Sequence, residues 1–140
     1  MAGMGNLSLP LARAGARVRA VETDPLACAN GTYNAREAGL EVDFRAVSAE
    51  KAVEDLLSAS RQKSWEVIVA DPPRRGLKGL TEALAGLRPK RLVYVSCNPP
   101  TLARDLTDLG NRGYRVERMT PLDLFPQTFH LETVCLLVRS

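Results

Sequence analysis

Hydrophobic and polar positions along the chain switch repeatedly between a two-residue and a helical period. Over 16–22 (ARVRAVE) small or apolar residues alternate with arginine and the run ends on an acid, as a strand opening into a loop does. Asp24-Pro25 is an N-cap followed by proline at the first helical position, and it predicts a helix over 25–38 closed by Gly39. A short strand is expected over 42–47, and Ser48 caps a helix through about Arg61, with Glu50 and Lys51 early in it. The nearly continuous apolar run 65–70 (WEVIVA) predicts a strand buried on both faces, ending at Asp71-Pro72-Pro73. A helix over 80–87 is stopped by Pro89, and 91–96 (RLVYVS) is a second buried strand ending at Cys97-Asn98-Pro99-Pro100. A helix over 101–109 ends at Gly110 and Gly113. The tail lacks helical periodicity and reads as two antiparallel strands, near 114–119 and 133–139, joined by a loop.

Alternating β and α units predict an α/β fold, a mostly parallel sheet with helices on both faces and an antiparallel C-terminal hairpin. With 140 residues and neither repeat nor linker in view, 1–140 reads as one domain. Hydrophobic and charged shares of 45% and 25% are those of a globular chain, which excludes disorder and low complexity. No apolar run approaches the roughly 20 residues that span a bilayer, and no signal peptide is evident. The net charge of +3 fits an RNA partner without selecting one, and the 15 arginines against 4 lysines favour phosphate, whose oxygens match the guanidinium fork. Cys28, Cys97 and Cys135 are odd in number and widely spaced. They make neither a disulfide framework nor a four-thiolate metal site, so no metal is expected and a reducing, cytoplasmic setting is.

Ligands of open α/β sheets bind beyond the carboxyl ends of the strands, and five clusters fall there. Ala2-Gly3-Met4-Gly5-Asn6 precedes an apolar helix start, and its glycines suit close approach of backbone to a nucleotide, although an ordinary glycine turn has the same sequence. Glu22, at a strand tip, can accept from both hydroxyls of a ribose; its charge also suits the start of the following helix. In Asp71-Pro72-Pro73-Arg74-Arg75-Gly76 the prolines stiffen the turn and remove amide donors, presenting Asp71 to a planar base and the arginines to phosphate. A stiff connection with solvated arginines is the plainer alternative. Cys97 stands at a strand end beside a helix start, where nucleophilic cysteines are placed, whereas Cys28 on a helix and Cys135 within a strand suit packing. Lastly, His130 and Glu132 sit in a loop entering a buried strand. A lone histidine is usually structural, but a carboxylate entering an apolar strand is a candidate general base.

At these residues the chain resembles the S-adenosylmethionine-dependent RNA uracil-5-methyltransferases, which make 5-methyluridine in transfer or ribosomal RNA. The likeness runs through AGMGNLSLPLA, VETDPLACANGTYNAREAGL, DPPRRG, YVSCNPPTLARDL and FPQTFHLETV. It implies a Rossmann-like class I methyltransferase sheet, S-adenosylmethionine as cofactor and RNA as substrate. It further implies that Cys97 attacks C6 of uracil and that Glu132 removes the C5 proton. By the same likeness Gly3, Gly5, Asn6, Glu22 and Asp71 hold the cofactor. Asp71, Pro72, Arg74, Asn98 and His130 meet the substrate. Ser48 stands near the place where the family has a cofactor-contacting asparagine. The family also has a strand and an acidic residue before the Gly-rich turn, where this chain starts at Met1. A C-terminal catalytic fragment is therefore expected, without the central first strand and the upstream RNA-binding region, and dimerisation is one way to compensate. The alternatives on the same fold are a methyltransferase for another base or an exocyclic amine, and an inactive remnant that binds RNA or cofactor.

Overall fold

Eleven helices and strands follow one another in a computed structural model that describes residues 2–59, 65–124, 126–128 and 131–140. The chain divides into two units, Met1–Ala52 and Val53–Ser140.

In the first unit, α1 (Ser8–Arg13), β1 (Val18–Glu22), α2 (Pro25–Glu37) and β2 (Val42–Ala46) follow the predicted order. The strands β1 and β2 pair in parallel, from Val18 opposite Val42 to Glu22 opposite Ala46. Asp24 caps α2 by accepting from Leu26 N–H at 2.9 Å, with Pro25 at the first helical position, and Gly39 follows the helix at φ +65°. Packing of α2 on the strands depends on Gly31. A Cβ there would lie 2.4 Å from the ring of Phe44 in β2, so the helix comes closer than any other residue permits.

In the second unit, β3 (Val67–Ala70), α4 (Thr81–Gly86), β4 (Arg91–Ser96), α5 (Pro99–Gly110), β5 (Tyr114–Leu122) and β6 (Glu132–Arg139) build a four-stranded sheet in the order β3-β4-β6-β5. The β3–β4 pair is parallel; β4–β6 and β5–β6 are antiparallel, as the expected hairpin requires. α3 (Ala49–Ala59) carries the division between the units, and Ser48 caps it through Lys51 N–H at 3.1 Å. Its expected end near Arg61 lies outside the described residues.

Alternate residues of β4 and β6 face the core: Leu92 and Tyr94 on one strand, Cys135 and Leu137 on the other, all at 0% exposure. Leu102 and Leu109 of α5 cover them, each side chain contributing about 1.5–3 kcal/mol on full burial. The buried phenol of Tyr114 donates to Pro89 O at 2.9 Å, tying β5 to the entry of β4.

One expectation is corrected. The strand at 65–70 was to be buried on both faces, yet Ile68, Val69 and Ala70 are half-buried and Val67 is 39% exposed. Among the described residues β3 pairs on one edge only, with β4, so its apolar side chains lack the cover that a central parallel strand has. The described strands accordingly form two sheets, β1-β2 and β3-β4-β6-β5.

Candidate active site

In the first unit the Gly-rich turn and the tip of β1 are joined by hydrogen bonds. Ala2 N–H donates to Val21 O at 2.9 Å, and Gly3 N–H donates to Glu22 Oε2 at 2.8 Å. Glu22 Oε1 accepts from Thr23 N–H at 2.7 Å, from its hydroxyl at 3.1 Å and from Asp24 N–H at 3.1 Å. Glu22 is only 4% exposed. Burial by itself pushes its carboxyl up, and the bonds from Asp24, Gly3 and Thr23 outweigh it and hold the group below its ordinary value. Oε1 is crowded with three donors, while Oε2 takes one and keeps acceptor capacity.

The two glycines of the turn differ in their surroundings. At Gly3 (φ +54°) a Cβ would meet nothing within 4 Å, so this stretch of backbone is open to approach. At Gly5 (φ +103°), which is buried, a Cβ would lie 3.0 Å from Leu9 and 3.3 Å from Phe44. The close approach at Gly5 is therefore to its own unit. Asn34 on α2 steadies the turn by donating to Met4 O at 3.3 Å, and Asn6 is exposed.

In the second unit the sheet gathers candidate residues at one end. β3 and β4 run parallel, so Asp71 and Cys97, each following the last residue of its strand, leave the sheet in the same direction. β6 runs antiparallel to β4 and begins at that end. Ser96 pairs with Thr133, so Cys97 and Glu132 are the next residues outward on the two strands, and Glu132 also pairs with Leu122 of β5. Cys97 and Glu132 are half-buried. Cys28 and Cys135 are buried, and burial pushes the Cys135 thiol up, as suits packing cysteines. His130 lies outside the described residues.

The turn after β3 is fastened to the helix after β4. Asn98 caps α5, accepting from Thr101 N–H at 3.4 Å while its Nδ2 donates to Arg74 O at 3.2 Å. Thr101 Oγ1 donates to the same carbonyl at 3.2 Å. Asp71, Arg74 and Arg75 are exposed, and Pro72 is half-buried.

Sequence reasoning missed Asp105, which is 2% exposed and accepts from Leu77 N–H at 2.6 Å and from Tyr94 Oη at 2.7 Å. Burial and the neighbouring Asp105 push the Tyr94 phenol well up, so it serves as a donor. A signal was available. Leu102, Asp105 and Leu109 follow helical spacing, which puts one carboxylate on an otherwise apolar face.

A model of the family described as tRNA (Uracil-5-)-methyltransferase matches residues 1–140. The 23S rRNA (uracil(1939)-C(5))-methyltransferase RlmD of Edwardsiella ictaluri is 45% identical over 135 residues, covering 96% of this chain and 30% of that protein. The Pyrococcus abyssi tRNA (uracil-54, C5)-methyltransferase, solved in complex with S-adenosyl-L-homocysteine, matches with a TM-score of 0.82 and 32% identity. That match covers 98% of this chain and 32% of the archaeal one. Magnesium protoporphyrin IX methyltransferase from Synechocystis, at 15% identity over 99% of this chain and 71% of its own, shares the fold with a TM-score of 0.69. This chain thus spans about a third of the length of these two uracil-methylating relatives.

Proposed function

Because this chain belongs to the tRNA (uracil-5-)-methyltransferase family, we propose that it is the catalytic part of an enzyme that methylates C5 of a uridine in RNA through a covalent Cys97–C6 adduct. The observation that carries this reading is the β4–β6 register, which brings a strand-end cysteine level with a carboxylate.

Cys97, as thiolate, adds to C6 of the uracil. The electron pair of the C5–C6 double bond moves toward C5 and the O4 carbonyl, and C5 becomes nucleophilic enough to accept a methyl group. S-adenosylmethionine supplies that methyl group when bound. Glu132 then takes the proton from C5, the double bond re-forms, and the sulfur leaves C6 as thiolate.

The residues of the first unit fit such a cofactor. An ionised Glu22 whose Oε2 retains acceptor capacity suits ribose hydroxyls, and Gly3 offers open backbone beside it. By resemblance Gly5 and Asn6 are assigned to the turn's cofactor contacts, Gly5 through the conformation it gives the turn, since its own surroundings are Leu9 and Phe44, and Asp71 is assigned to cofactor and base. Pro72 lacks an amide donor and leaves carbonyls for the base; Arg74 provides a guanidinium for phosphate. Asn98 has a second amide hydrogen for the substrate beyond the one given to Arg74 O. His130 completes the substrate set by resemblance. RNA, ribosomal or transfer, is the proposed partner, and a cytoplasmic setting keeps Cys97 reduced. No described helix is long and apolar enough to cross a membrane.

Release of tritium from RNA carrying [5-3H]uridine tests the reaction. The intact protein with S-adenosylmethionine is expected to release it, and Cys97→Ala to release none. An enzyme acting on an exocyclic amine would methylate RNA without release.

A further inference from the structure

We propose that Asp105 is a positioning residue for RNA: with Leu77, Tyr94 and Arg104 it fixes the 72–77 turn so that Arg74 meets a substrate phosphate beside Cys97. The proposal rests on the reading of the preceding subsection.

Four donor atoms converge on the buried Asp105 carboxylate. Oδ2 accepts from Leu77 N–H and Tyr94 Oη, and Oδ1 accepts from Arg104 Nε at 2.9 Å and Nη2 at 2.7 Å. Arg104 in turn donates from Nη2 to Arg75 O at 2.9 Å. Arg74 O, Arg75 O and Leu77 N–H are thereby all held by side chains of α5 and its cap. Gly76 belongs to the same arrangement. Its φ is +72°, and a Cβ there would lie 2.3 Å from Asp105 Oδ2 and 3.1 Å from Tyr94 Oη.

The ion pair with Arg104, whose side chain is 47% exposed, is a weak source of stability. What the carboxylate adds is direction: hydrogen bonds fix the planes of the peptide groups they engage, which apolar contact does not. The fixed part of the turn is next to the proposed nucleophile, because the amide that holds Arg74 O belongs to Asn98, the residue after Cys97. The carbonyl of Arg74 is pinned while the residue itself is exposed, an arrangement that presents a planar guanidinium to phosphate.

Fluorescence anisotropy of a uridine-containing RNA oligonucleotide, titrated with the intact protein at several salt concentrations, tests this as a double-mutant cycle of Asp105→Asn and Arg74→Ala. Arg74→Ala is expected to weaken binding about 10-fold and to reduce the salt slope by about one phosphate contact. Asp105→Asn loses the charge that holds Arg104 and is expected to reduce the slope likewise, with the double variant no weaker than Arg74→Ala. Additive losses overturn the proposal, as does a wild-type slope in either folded single variant. If Asp105→Asn fails to fold, Tyr94→Phe takes its place in the cycle, with a smaller loss in the same direction. A parallel trapping experiment with 5-fluorouridine RNA separates the two readings. An adduct at Cys97 without the coupling sinks the role of Asp105 and leaves the chemistry standing; coupling without an adduct does the reverse.

Discussion

Ser96 and Thr133 are the last facing pair of the β4–β6 ladder, and the residues beyond them, Cys97 and Glu132, therefore leave their strands at the same end of the sheet. Two residues separated by a helix, a strand and a loop in sequence are brought level by register alone. A slip of one residue in an antiparallel pair would turn a whole strand over. The buried set on β6, Thr133, Cys135 and Leu137, is what prevents it.

The proposed division of labour makes Glu132→Gln distinctive. This variant keeps the nucleophile and loses the base, so the methylated adduct is expected to accumulate on ordinary uridine RNA and resist denaturing electrophoresis. Turnover should fall by about 10²–10⁴-fold, the usual contribution of general base catalysis. Wild-type turnover in Glu132→Gln would remove this residue from the mechanism.

The three cysteines should separate in a timed alkylation of the folded chain followed by peptide mass spectrometry. Cys97, half-buried at a strand end, is expected to react first. Cys135, at 0% exposure with its thiol pushed up by burial, should react only on unfolding. Equal rates at Cys97 and Cys135 would contradict the placement of both.

Glu22 ties the turn to β1, and its loss should be felt in stability and in cofactor affinity. In Glu22→Gln, whichever way the amide is turned, an NH2 faces N–H donors of Gly3 or of Thr23 and Asp24. Urea unfolding at neutral pH should show a loss of about 1–3 kcal/mol. Affinity for S-adenosylmethionine should fall by roughly 10-fold, about 1.4 kcal/mol. The pH dependence has a definite sign. The folded carboxyl lies below its ordinary value of 4.5, so its stabilisation is complete above that value and is lost as pH falls through the folded one. The wild type should therefore lose more stability than the variant on going below about pH 4.5. Parallel acid limbs would refute this.

Gly31→Ala tests the packing of α2 on β2. Alanine in a helix interior normally gains about 0.5–1 kcal/mol over glycine. Here the new Cβ would lie 2.4 Å from the Phe44 ring, and overpacking of this kind costs about 1–3 kcal/mol, so net destabilisation is expected. Adding Phe44→Leu should recover part of the loss, a non-additivity that thermal melts can read.

Much of the fold was legible because short-range chemistry and burial agree. The run 91–96 became β4 at its predicted bounds, and Asp24-Pro25 and Ser48 start helices as their types require. Two elements run past their expected bounds, and each takes in a proline. Helix α5 begins at Pro99 rather than 101, since prolines in the first turn forfeit no intrahelical donor once Asn98 caps the end. β5 runs on through Pro121 to Leu122, and as an edge strand it tolerates a missing N–H. The strand-end positions of the candidate residues Glu22, Asp71, Cys97 and Glu132 were legible from the turn residues beside them. The Asp105 clamp was not, because it joins a backbone N–H, a phenol and a guanidinium distant in sequence, and only the packed helix brings them together.

The central claim is the covalent step, and trapping tests it most directly. Intact protein is incubated with S-adenosylmethionine and RNA carrying 5-fluorouridine, in which fluorine replaces the proton that Glu132 would remove, so the adduct has no route to release. Peptide mass spectrometry is expected to find RNA joined to Cys97, and nothing joined in Cys97→Ala. A folded, cofactor-binding protein that forms no adduct, or forms one at another residue, would contradict the account.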